Sequence, residues 1–100
     1  MSLKTNKAKT YLGFAIKSRS IVYGVDDICK TRKAELIIIS SALSDASAKK
    51  IVSYSEKNNI ILLKMGLENF QELIDNINVK AIAILDKNLA DAIKMNLTNL

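Results

Sequence analysis

The chain has 100 residues, 49% of them hydrophobic and 25% charged, the size and balance of one globular domain. Fifteen basic against ten acidic side chains give a net charge of +5. There is no histidine and only one cysteine, Cys29. That excludes a Ser-His-Asp or Cys-His nucleophile, an imidazole or Cys-rich metal site and an internal disulfide, and the lone thiol suits a reducing cytoplasm.

In chain order, Ala8, Leu12, Ala15 and Ile16 recur at helical spacing, so residues Asn6 to Lys17 predict an amphipathic helix with those four inward. Lys4, Lys7 and Lys9 read as a loosely held basic arm beside it. Ile21-Val22-Tyr23 reads as a brief strand ending at Gly24. A second helix is expected from Val25 to about Lys33. Its Asp26 and Asp27 suit the positive end of the dipole, and its Arg32 and Lys33 the negative end. Leu36-Ile37-Ile38-Ile39 is an unbroken apolar run, three of its four residues β-branched, of the sort found in a strand covered on both faces.

Ser44 is the expected N-cap of a third helix reaching about Asn58, with Ala48, Ile51, Val52 and Ser55 inward. Ile60 to Leu63 repeats the buried-strand signature. Gly66 then leads into a helix over about Leu67–Ile77, in which Phe70, Leu73, Ile74 and Ile77 line one face. Ala81–Leu85 is the last strand. Lys87–Leu97 is the closing helix, with Leu89, Ala92, Ile93 and Leu97 inward. Alternating helices and strands predict an α/β fold: a three-layer α-β-α sandwich around a small mixed, mainly parallel four-stranded sheet. The three glycines form neither a GxGxxG nor a P-loop cradle, so no nucleotide cofactor is expected. No apolar run reaches membrane-spanning length, and no signal-peptide pattern follows the basic start.

The charge is uneven along the chain. Residues 1–33 carry eight basic and two acidic side chains, and residues 34–100 carry seven and eight. The cations of the first third surround Gly24-Val25-Asp26-Asp27-Ile28-Cys29-Lys30, and Arg19, Lys30 and Lys33 are expected on one rim of the second helix. A cationic patch beside a helix start points to a polyanion with shape, structured RNA first. Helix-start amides bind phosphate oxygens. Gly24 permits close backbone approach, and Lys30 reaches a phosphate or a guanine edge. Other readings stay open at this point. Asp26 and Asp27 also serve as plain dipole partners of a helix start, and without a third carboxylate they make a poor Mg²⁺ site. The basic face also serves as a merely solvated one. Cys29 reads as a packed, inert thiol.

Four strings carry a family resemblance: Leu12-Gly13-Phe14-Ala15, Ser18-Arg19-Ser20-Ile21-Val22-Tyr23-Gly24, Ala34-Glu35-Leu36-Ile37-Ile38-Ile39 and Ala48-Lys49-Lys50-Ile51. With the element order, they make nearly the whole chain resemble the kink-turn-binding ribosomal proteins L-seven-Ae and L-thirty-e, nearest their short bacterial YlxQ-like branch. The resemblance implies a non-catalytic, cytoplasmic, monomeric protein that binds a kink-turn or ribosomal RNA without cofactor or metal. It also implies association with ribosomal or RNA-processing proteins. An interaction module that docks on such a protein without touching RNA is the alternative.

The family's signature, Gly-x-Asn-Glu-x-x-Lys, falls on residues 24–30. The resemblance thus implies RNA contacts at Gly24, Val25, Asp26, Asp27 and Lys30, with Arg19 and Lys33 alongside. A second contact is implied at the loop before the last strand, Ile77, Val79 and Lys80, where an extruded base is covered. This chain departs from the pattern in having Asp26 for the Asn, Asp27 for the Glu, and Tyr23 where a basic residue is frequent. Gln71-Glu72 stands for a Leu-Gly pair.

Overall fold

Two strands that are apolar at almost every position organise the molecule. In the computed structural model, which describes residues 3–76 and 78–98, β2 (Leu36–Ser40) and β4 (Ala81–Ile84) lie side by side and are buried throughout. Strand β1 (Ile21–Tyr23) flanks β4, and β3 (Ile61–Met65) flanks β2, so the order is β1-β4-β2-β3. β1, β2 and β3 run in one direction and β4 against them. The β2–β3 ladder is therefore parallel and both ladders made by β4 are antiparallel.

Side-chain alternation sends the two faces of these strands into separate clusters. Leu36, Ile38, Ile82 and Ile84 pack with α1 (Leu3–Lys17), α4 (Leu67–Leu73) and α5 (Lys87–Thr98) through Leu12, Phe70 and Ile93. Ile37, Ile39, Ala81 and Ala83 pack with α2 (Val25–Lys30) and α3 (Asp45–Lys57) through Ile28 and Ile51. The result is the expected α-β-α sandwich. The alanines of β4 leave space for Ile28, which is completely buried. Burying such a side chain contributes roughly 1.5–3 kcal/mol.

Several local expectations are corrected. β3 resembles β2 in sequence but is only half covered, with Ile61 45% exposed, because it is an edge strand paired on one side only. Its exposed Lys64 discourages edge-to-edge pairing. Ile16 is 49% exposed: α1 buries its Ala8-Leu12-Ala15 stripe, and Ile16 lies one residue round from it. Lys7 and Lys9 belong to helix α1, and Lys9 pairs with Asp75 at 3.0 Å. Helix α2 stops at Lys30, since Thr31 is extended and the chain must turn to feed β2; Arg32 and Lys33 lie beyond it. The Tyr54 hydroxyl of α3 donates to the Thr31 carbonyl and fastens that exit. Helix α4 ends at Leu73. The expected inward position Ile77 lies outside the described residues. In α5 the sequence pattern overlooked Ala90, which is buried, whereas Leu89 and Ala92 are half-buried.

Candidate nucleic-acid interface

Because β1, β2 and β3 share a direction, all three end at the same edge of the sheet, and α2, α3 and α4 begin there. Ser44 caps α3, its hydroxyl accepting from the Ser47 amide at 3.2 Å. Gly24 opens α2 with φ +86° and ψ 146°, a backbone combination essentially confined to glycine. The Gly24 amide donates to the Ala81 carbonyl at 2.9 Å, and the Ser40 amide to the Lys80 carbonyl at 2.9 Å. Those two bonds bring the Gly24–Asp27 turn, the start of the β2–α3 loop and the Val79–Lys80 stretch together. The last of these is shaped by the Asn76 side chain, whose Oδ1 accepts from the Asn78 amide at 2.9 Å.

Of the ten residues singled out in the sequence, Gly24, Val25, Asp26, Asp27, Val79 and Lys80 meet at this end. Lys30 stands one turn along α2 from Asp26, close enough to help hold the Asp26 carboxyl down. Ile77 lies outside the described residues. Arg19 and Lys33 are elsewhere. Arg19 occupies the α1–β1 turn with φ +58°. The neighbouring Ser20 carbonyl accepts from Leu85 at the other end of β4. Lys33 precedes Glu35, whose amide bonds Ile84 at that same far end. Four strand steps separate Ser20 from Gly24, roughly 13 Å. The single basic rim expected from the sequence is therefore split between two ends of the sheet.

Lys64, the residue before the end of β3 and opposite Ile39, stands on the edge strand farthest from β1. Another cation takes the place of Arg19 and Lys33. Lys50, in the second turn of α3, reaches across to α2 and donates to Asp26 Oδ1 at 2.7 Å. This hydrogen bond, then the charge behind it, holds the Asp26 carboxyl below its ordinary 3.8 and lifts Lys50 above its ordinary 10.5. In the sequence Lys50 stood out only within the Ala48-Lys49-Lys50-Ile51 string, and nothing placed it at this site, since residues 34–100 are close to neutral taken together. Carboxylates also stand here: Asp27, Asp45 and Glu68 sit in the first turns of α2, α3 and α4. Cys29 is half-buried against the α2–α3 cluster, and desolvation pushes its thiol up from 9.0. Among the described residues no three Cys, Asp or Glu side chains converge as metal ligands.

Beside this end lies a groove of about 580 Å³ between α1 and the segment that follows α4. Leu12, Gly13 and Ile16 form one wall, Leu73, Ile74 and Val79 the other. Tyr23, the residue before Gly24, closes the end next to the helix starts and is 40% exposed. The Lys9–Asp75 ion pair spans the rim.

These features define a three-layer α/β sandwich with its chemically varied loops gathered at one edge of the sheet. A solved structure described as a protein with unknown function from Bacillus halodurans C is similar to it, with a TM-score of 0.80 at 18% identity. The similarity covers 92% of this chain and 97% of that one, and it shows the fold. No family model matches the chain, and no curated protein is similar in sequence.

Proposed function

We propose that this chain is a non-catalytic RNA-binding protein that recognises bent or internally looped RNA of the kink-turn kind, as its resemblance to the ribosomal proteins implies. The observation that carries the reading is the Gly24 amide bond to Ala81. It sets the Gly24–Asp27 turn against Val79 and Lys80, the two separate stretches that a kinked RNA would engage. Tyr23 and Val79 then border an apolar groove able to shelter an unstacked base. The carboxylates of the three helix starts make this end mixed in charge. Contacts to base edges thus carry more of the recognition than phosphate attraction, and the dependence on salt is shallow for so basic a chain. The protein acts as a monomer in the cytoplasm, on ribosomal or another structured RNA. Among the described residues no helix is long and apolar enough to cross a membrane.

A second reading, a module that docks on a ribosomal or RNA-processing protein, is favoured by the exposed Ile16 and Tyr23 along the groove. One titration separates the two. A kinked duplex with an internal loop and a straight duplex of equal length are each titrated at two salt concentrations. Preference for the kinked duplex at both supports the RNA reading. Equal, weak, strongly salt-dependent binding refutes it and leaves the docking module.

A further inference from the structure

We propose that Asp26 and Lys50 form one recognition unit for the edge of an adenine that offers an amino donor beside a ring-nitrogen acceptor. This rests on the RNA reading above and names the base that its site takes.

The two side chains come from different helices, and both helices are anchored. Ile28, two residues from Asp26, and Ile51, next to Lys50, are fully buried in the same cluster. The seam is thus fixed by core packing while its polar ends stay in solvent, with the Lys50 side chain 57% and the Asp26 side chain 78% exposed. Exposed ion pairs contribute little to folding. What this one does is chemical. A lone carboxylate at an RNA surface repels phosphates, and the 2.7 Å contact with the ammonium neutralises it. Only Oδ1 of Asp26 is engaged by Lys50, so Oδ2 is left to accept, and the ammonium keeps two further protons to donate. An acceptor and a donor then stand side by side, the pattern that a carboxamide presents. Adenine is the complement, its N6 amino group donating and its N7 accepting, whereas guanine shows two acceptors on that edge and would face the carboxylate with no proton to share.

The probe is the kinked internal-loop duplex, titrated with the full chain and with Lys50→Ala, Asp26→Asn and the double variant. Lys57→Ala, at the far end of α3, serves as the control. Lys50→Ala exposes an unpaired carboxylate and weakens binding about tenfold, while Asp26→Asn supplies both donor and acceptor and stays within about threefold of the parent. The double variant recovers most of what Lys50→Ala loses. Replacing one loop adenine by 7-deazaadenine, which lacks the ring-nitrogen acceptor that Lys50 serves, weakens the parent about tenfold and Lys50→Ala much less. Binding by Lys50→Ala equal to that of Lys57→Ala overturns the proposal. So does a double variant as weak as Lys50→Ala, since Lys50 would then act on phosphate alone. A parent protein that binds kinked and straight duplexes equally removes the RNA reading itself, and this inference with it.

Discussion

Gly24→Ala tests the geometry on which the candidate interface depends. At φ +86° and ψ 146° an alanine is strained, and the strain is of order 1–3 kcal/mol. A Cβ built at Gly24 meets nothing within 4 Å, so no steric clash adds to it. The lower entropy of the unfolded alanine chain returns about 0.4–1 kcal/mol. Taken at mid-range, the net loss is about 1.3 kcal/mol, which lowers the melting temperature of a domain this size by roughly 5–10 °C. Gly13→Ala is the matched opposite. It also has open space at Cβ, but it lies inside α1, where alanine gains about 0.5–1 kcal/mol over glycine. Thermal melts followed by far-ultraviolet circular dichroism should move in opposite directions for the two variants. If Gly24→Ala melts at or above the parent temperature, the turn relaxes to negative φ without loss. The bond from residue 24 to Ala81 then does not fix the juxtaposition argued above.

The other expectations concern binding, local stability and pH. Lys80→Ala weakens binding to the kinked duplex and lowers its salt slope by about 1. Arg19→Ala, at the other end of β1, changes neither, and an equal effect of the two places the interface wrongly. Tyr54→Phe leaves the Thr31 carbonyl without its donor and costs about 0.5–1.5 kcal/mol in urea unfolding, so an unchanged midpoint refutes the role given to that bond. Ser44→Ala removes the cap of α3 and costs about 0.5–2 kcal/mol by the same assay. Asp26, depressed below 3.8, contributes stability that is present above that pH and lost as pH falls through its folded value. Lys50, raised above 10.5, contributes below that pH and loses it as pH climbs through its own folded value. The pair is therefore constant across neutral pH. Titration of the Asp26 carboxyl by NMR should show a midpoint below 3.8 that returns toward it in Lys50→Ala.

How far each feature was legible depended on whether its cause is local. Ser44 announced its cap because a hydroxyl three residues before an amide suffices. The full burial of β2 followed from four apolar positions in a row, a pattern frequent in strands covered on both sides. The same reasoning failed for β3, because whether a strand is central or at the edge depends on which partners it finds. It failed for the length of α2 as well, since the exit at Thr31 is held by Tyr54, 23 residues away. Gly24 stood out in the sequence, yet its positive φ and its bond to Ala81 exist only once β1 has paired with β4.

Charge shows the same division. Counting along the chain put the cationic excess in the first third, but the fold separates Arg19 and Lys33 from Gly24 and brings Lys50 and Lys80 toward it. The sequence by itself determined the elements, their order and the two apolar faces of the central strands, because side-chain periodicity and capping act within a few residues. The tertiary structure alone decided which loops share an edge and which lysine meets Asp26. Those contacts join residues tens of positions apart, and strand direction and order, set by long-range pairing, bring them together.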